Sequence, residues 1–303
     1  MLNNLIIRLS SNLFYCSKIS HTIENRTGEL QIKNEEKAGY FMIIAGNWKM
    51  NPNHAAAIAL LEAFVAQKDI FQKGCQAVCF PPASYHAIAA QKLAGTDMEW
   101  GAQTCHQEQA GAYTGEISPQ MIADMGGKWV IIGHSERRQY FGETDSLITE
   151  KIDAALTAGL RPVLCVGEPE ELRLKGEQDD FVQGQMAAGL KNIAKMALSD
   201  QKSALGQLVI AYEPVWAIGT GKVASLQNIA EMHQGLCDKL IALFGTALPE
   251  KNVPVLYGGS VNRDNAAEIL AIDHVSGALV GGASLQAEGF LAIYQAAIEN
   301  CTN

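Results

Sequence analysis

At 303 residues, with 48% hydrophobic and 18% charged residues, the chain can bury one large core or two ordinary ones. No apolar run reaches the ~20 residues that cross a bilayer, and a net charge of −9 without a lysine or arginine stripe leaves no footprint for nucleic acid. Seven scattered cysteines, with no C-x-x-C pair and no His/Cys cluster, argue against a metal site or a disulfide framework and suit buried thiols in a reducing compartment.

Residues 1–41 carry Asn, Ser, Lys and Glu without sustained periodicity. Three readings of this N-terminal extension stay open: a start site placed ahead of Met42, a disordered tail, or a targeting segment. The last rests on residues 1–20, which hold Arg8, Lys18 and several serines before the first acidic residue, Glu24. Met42 directly precedes the first clear strand, which favours the first reading. From there, runs expected as strands at 42–47, 77–80, 99–103, 129–133, 161–166, 207–212, 253–257 and 275–280 alternate with helical periodicity. Leu226, Ile229, Ala230, His233, Leu236, Cys237, Leu240 and Phe244 form one stripe at helical spacing; Ile148, Ile152, Ala155 and Leu156 form another. Eight β–α units predict an α/β fold, a (β/α)8 barrel in one domain over 42–303, though alternation alone also suits a doubly wound sheet.

The polar residues at the strand ends carry the chemistry. Asn47-Trp48-Lys49 follows the first strand, where Lys49 is either a point charge for an anionic substrate or a solvated loop lysine. Such local charges, helix N-termini and backbone amides would have to bind an anion, since the global charge is negative. Gly133-His134-Ser135-Glu136-Arg137-Arg138 stands where the fourth strand ends and a helix begins. Ser135 is expected as its N-cap, with Arg138 where a capping box has Glu or Gln. A helix N-terminus disfavours imidazolium, so His134 reads as a neutral donor to a carbonyl oxygen, or else as a core histidine bonded to backbone. Glu136 either orients Lys49 or pairs with Arg137 or Arg138.

The run Leu208, Val209, Ile210, Ala211 reads as a buried strand with Glu213 at its C-terminal end, the usual place for a catalytic acid or base in such a barrel. The stretch that follows, Pro214, Val215, Trp216, Ala217, Ile218, Gly219, Thr220, Gly221 and Lys222, combines a stiff exit, an apolar cover and two glycines, as a hinged lid requires. A base beside a closable cover suggests proton transfer kept from water. Gly219-Thr220-Gly221-Lys222-Val223-Ala224 also matches a dinucleotide fingerprint with Asp238 downstream, but residues 213–218 separate it from its strand and five strands precede it. Gly258-Gly259-Ser260 and Gly281-Gly282-Ala283 end the last two strands, where glycine pairs let backbone N–H groups approach a phosphate.

Taken in order, Asn47-Trp48-Lys49, Gly133-His134-Ser135-Glu136-Arg137, the stretch from Ala211 to Lys222, Tyr257-Gly258-Gly259-Ser260 and Leu279-Val280-Gly281-Gly282-Ala283-Ser284 resemble the triosephosphate isomerases over residues 42 to about 300. The resemblance implies interconversion of dihydroxyacetone phosphate and D-glyceraldehyde 3-phosphate, in glycolysis and gluconeogenesis, with no metal or organic cofactor. It makes Glu213 the base and His134 the electrophile, with Asn47 and Lys49 holding substrate and stabilising the enediolate. Backbone amides of Gly219, Ser260, Gly281 and Gly282 would bind the phosphate. It further implies a cytoplasmic homodimer, without nucleic-acid or membrane partners, in which loop 108–118 enters a pocket on the second subunit and Thr114 supports the partner subunit's Asn47 and Lys49. Organellar targeting by residues 1–20 is the minor alternative. Gln103-Thr104-Cys105-His106 departs from the family pattern, with Thr and His where Asn and an aromatic are commoner; this bears on interface strength and leaves the chemistry untouched. Two other readings compete: an aldolase-like barrel using Lys49 as Schiff-base nucleophile, which leaves His134 and the lid unexplained, and a catalytically silent phosphate-binding barrel, which the intact Glu213, His134 and Lys49 oppose.

Overall fold

Strand Met42–Asn47 (β1) is buried along its whole length, and its side chains alternate between two apolar layers, as a strand covered on both faces demands. Ile43 and Ala45 belong to the barrel interior with Phe80, Trp129, Ile131, Cys165 and Leu256, while Ile44 joins the layer between strands and helices. The computed structural model describes residues 42–71, 74–218, 223–250 and 252–302, together with the segments 22–24 and 30–32. Seven further strands follow: Cys75–Phe80 (β2), Glu99–Ala102 (β3), Trp129–Ile132 (β4), Arg161–Val166 (β5), Val209–Tyr212 (β6), Val255–Tyr257 (β7) and Gly277–Val280 (β8). All pair in parallel, and β8 closes on β1 with Gly277 opposite Ile43 and Val280 opposite Gly46. Closure makes this a (β/α)8 barrel and removes the doubly wound alternative. Cys165 sits in the interior layer as a small apolar residue.

Strand ends differ from the sequence-based bounds for local reasons. β2 starts at Cys75 because Met42 already donates to the Gly74 carbonyl at 3.1 Å. β7 starts at Val255 because Pro254 has no N–H to give the ladder. Helix Leu226–Phe244 buries Ile229, Met232, His233, Leu236, Leu240 and Phe244; of the expected stripe, Ala230 and Cys237 are half-buried and Leu226 lies exposed in the first turn behind the Ser225 cap. Helix Asp145–Thr157 buries Ile148, Ile152 and Ala155 as its stripe requires.

The chain divides into two units, Met1–Gly39 and Tyr40–Asn303. In the first, Thr22–Glu24 and Leu30–Ile32 pair as an antiparallel ladder; the three readings of residues 1–41 otherwise fall outside the described residues.

Candidate active site

Parallel strands of one barrel deliver their C-terminal ends to one rim. Asn47 closes β1, Gln103 follows β3, His134 lies just beyond β4, Glu168 beyond β5, Glu213 after β6, Gly258 after β7 and Gly281 after β8. A cavity of ≈ 420 Å³ opens there, lined among others by Asn47, Lys49, His134, Glu213, Ile218, Gly258, Gly259, Ser260, Gly281 and Gly282. A second hollow of ≈ 450 Å³, beside Gln76, Asp97, Glu99 and Lys128 near the opposite strand ends, gathers no comparable set. Among the described residues no cluster of His, Cys, Asp and Glu could hold a metal ion.

Glu213 is only 2% exposed. Its Oε1 lies 2.8 Å from His134 Nε2 and its Oε2 accepts the Ser135 backbone N–H at 2.8 Å. Burial raises the Glu213 carboxyl, but His134 and the Ser135 N–H outweigh it and hold the group below the usual carboxylate range. His134, not Ser135, is the N-cap of helix Ser135–Phe141, and its Nδ1 accepts the Glu136 N–H at 3.2 Å. For the imidazole, burial lowers the pKa while the Glu213 carboxylate and, more weakly, Glu136 raise it, with a net upward pull. A second proton would have to sit on Nδ1, directly against the Glu136 N–H at the positive end of a helix. The geometry thus points the Nε2 proton at Glu213 and leaves Nδ1 as an acceptor, while the upward pull of the carboxylates runs against the neutral ring expected from the sequence.

Lys49 reaches the same cavity from an unusual backbone conformation, φ +53°. Its N–H donates to Asn47 Oδ1 at 3.0 Å, and its Nζ meets Glu136 Oε1 at 2.7 Å. Of the two roles open to Glu136, it takes the pairing with Lys49; Arg137 pairs instead with Glu143, and Arg138 with Asp145. Gln103 Nε2 donates to the Lys49 carbonyl at 2.8 Å.

The root of the expected lid is tied down. Val215–Ala217 forms one 3₁₀ turn, and the fully buried Glu168 collects three donors on Oε1: Tyr212 Oη at 3.1 Å, Trp216 Nε1 at 2.8 Å and Arg173 Nη1 at 3.3 Å. Ile218 lines the cavity; Gly219, Thr220, Gly221 and Lys222 lie outside the described residues. Opposite, a side chain at Gly258 would crowd the base, since a Cβ there would stand 3.0 Å from both Glu213 Cγ and the Tyr212 carbonyl. The buried Ser284 pins the last turn by donating to the Gly281 carbonyl at 2.7 Å.

Asn47, Lys49, His134, Glu213, Ser260, Gly281 and Gly282 thus converge on one cavity, whereas Thr114 lies exposed in the loop and outside that lining. Gln103 and Glu168 went unread in the sequence as site residues, although Gln103 directly follows an apolar strand, as Glu213 does, and Glu168 stands one glycine beyond another.

A family profile described as triosephosphate isomerase matches residues 42–297. The triosephosphate isomerase of Granulibacter bethesdensis is 44% identical over 254 residues, 84% of this chain and 98% of that one. That of Hyphomonas neptunium is 43% identical over 258 residues, covering 85% and 98%. The crystal structure of triosephosphate isomerase from Bartonella henselae superimposes with a TM-score of 0.73 at 37% identity, over 84% of this chain and 98% of that one. A closed eightfold barrel, a buried carboxylate paired with an imidazole at its mouth, and relatives matched almost end to end agree on one conclusion: the chain belongs to the triosephosphate isomerase family.

Proposed function

We propose that the chain interconverts dihydroxyacetone phosphate and D-glyceraldehyde 3-phosphate, moving one proton between adjacent carbons through an enediolate. One observation carries this reading: a buried carboxylate held 2.8 Å from an imidazole Nε2 at the edge of a cavity rimmed by glycine turns. Glu213 is the base. His134 donates its Nε2 proton to the substrate carbonyl, and a neutral imidazole can pass that proton between the two oxygens as the enediolate forms and collapses. When that carbonyl takes the Nε2 hydrogen bond, it displaces Glu213 Oε1 and frees the carboxylate to turn toward carbon. Lys49 and Asn47 stabilise the charge that develops on oxygen. Backbone N–H groups of Ser260, Gly281 and Gly282, with Gly219, hold the phosphate. Residues 214–222 close over the site and exclude water, which would otherwise level the base and expose the enediolate.

An imine mechanism needs a desolvated neutral amine, whereas Lys49 is paired with Glu136 and its side chain is 29% exposed. The test is isomerisation in D2O with the native protein and Glu213→Gln. Deuterium should enter the product from solvent, and the variant should lose nearly all turnover. A borohydride-trapped adduct or a fully active variant would overturn the reading.

We further assign a homodimer in which loop 108–118 and Thr114 brace the partner subunit's Asn47 and Lys49. Support comes from exposed apolar residues flanking the site in sequence, Met50 at 96%, Tyr140 at 69% and Phe141 at 68%, since large exposed apolar groups favour contact with a second surface. Residues 1–41 form an extension ahead of the catalytic barrel at 42–303; the relatives are matched almost end to end without it. The cytoplasm is the proposed compartment, in keeping with free thiols at Cys75, Cys79, Cys105, Cys165, Cys237 and Cys301. Among the described residues no helix is long and apolar enough to cross a membrane.

A further inference from the structure

We infer that Gln103 is a positioning residue for the reaction, holding Lys49 in a backbone conformation that lysine disfavours; this rests on the role given to Lys49 above. Lys49 has φ +53°, and for a non-glycine residue the left-handed region is disfavoured by roughly tenfold in population. Something outside the residue must therefore hold it there. Both of its backbone polar groups are engaged. The N–H donates to Asn47 Oδ1 at 3.0 Å, and the carbonyl accepts from Gln103 Nε2 at 2.8 Å.

The Gln103 amide is suited to this task by its chemistry. Its Nε2 carries two hydrogens, and it meets two carbonyls: that of Lys49 and, also at 2.8 Å, that of Phe80 at the end of β2. The Phe80 carbonyl also accepts the Trp48 N–H at 3.2 Å, so one half-buried amide fastens the loop after β1 to the end of β2 from a base just past β3. The ammonium at the far end of the same lysine is set by Glu136 at 2.7 Å. Gln103 does not itself line the cavity and does not bond the ammonium, so it acts through the lysine backbone.

The substitutions that separate this from plain structural support exploit the donor count. Gln103→Leu removes both donors at similar volume; Gln103→Glu keeps the shape but offers the two carbonyls no donor when ionised and one when protonated. The experiment is a double-mutant cycle in kcat/KM for triose phosphate with Gln103→Leu, Lys49→Ala and the double variant, together with the pH profile of Gln103→Glu. Gln103→Leu should cost about tenfold in the native background and nearly nothing when Lys49 is already Ala. The activity of Gln103→Glu relative to the native protein should rise as pH falls from about 8 toward about 5. Equal cost in both backgrounds, or a flat ratio across pH, would overturn the inference. If Lys49→Ala alone kept native activity, the role of Lys49 itself would fall. Should Gln103→Leu not fold, the Gln103→Glu profile decides.

Discussion

The carboxylate of Glu213 accepts the backbone N–H of Ser135 at 2.8 Å. The proposed base and electrophile are thereby fastened to the same helix start, because Ser135 directly follows His134. The bond adds to the larger effect of His134 in holding the carboxyl below the usual carboxylate range, and it must break for the side chain to reach carbon in the proposed reaction. In the proposed reaction the base must therefore leave this resting position for a working one.

Shortening that side chain should therefore hurt turnover and spare binding. Glu213→Asp withdraws the carboxylate by about one methylene, and a misplacement on the order of 1 Å can cost ~100-fold. Steady-state kinetics should show kcat falling by about that factor with KM changed far less. A near-native kcat would remove Glu213 from the role of base.

His134→Gln keeps a hydrogen-bond donor but cannot relay a proton between two oxygens. The expected loss in kcat lies within the ~10²–10⁴-fold range of a positioned acid–base group. Nitrogen NMR of the imidazole should give the neutral ring protonated on Nε2 at neutral pH. In Glu213→Gln the ring pKa should drop, because the carboxylate that pulls it upward is gone. An imidazolium at pH 7, or a rise on removing the carboxylate, would contradict the assignment.

Deleting residues 218–221 removes no barrel strand, so the fold should persist. Phosphate affinity should fall, and ligands that imitate the enediolate should weaken more than substrate does. The exposed enediolate should then lose phosphate more often, giving methylglyoxal. Inorganic phosphate and methylglyoxal are measured per turnover. Slower isomerisation with unchanged elimination would make the segment a binding element and not a lid.

Two other histidines should write a pH signature into stability. Burial drives His86 and His233 down to about 4 from 6.5, with carbonyls of Pro81 and His274 pulling weakly the other way. Between those values the unfolded chain binds protons that the folded chain refuses, so stability must fall as pH drops from 6.5 through 4 and level off below. Each ring is worth ~3 kcal/mol across that window. The His86 nitrogens have no well-formed partner, and the ring rests on Trp100. His86→Leu should therefore flatten the urea midpoint between pH 6.5 and 4; an unchanged slope would count against the effect.

Much of this is legible in the sequence alone. Continuous apolar runs followed by glycine mark where β1, β4 and β5 lie, and the acidic residue just past the run Leu208–Ala211 stands out as the candidate base. What escaped reading depends on residues far apart in sequence. The left-handed backbone of Lys49 has no local signature, since neither glycine nor asparagine stands there; a glutamine 54 positions away holds it. The capping role of His134 displaced the one expected of Ser135 because the imidazole, itself fixed by Glu213, reaches the Glu136 N–H first. Gln103 and Glu168 look like ordinary loop residues until barrel closure turns their strand ends toward the same rim.

Closure of β8 against β1 has a consequence for how the chain becomes an enzyme. Gly277 pairs with Ile43, and Tyr294 Oη reaches the Cys75 carbonyl across 219 residues of chain. Contacts of such span form late, after shorter loops have closed. The glycine turn at Gly281 meets Asn47 and Lys49 only once that seam is zipped, so a half-built barrel would hold the proposed base without its proposed phosphate anchor. Catalysis should return during refolding with the slowest phase alone, well after helix content has recovered.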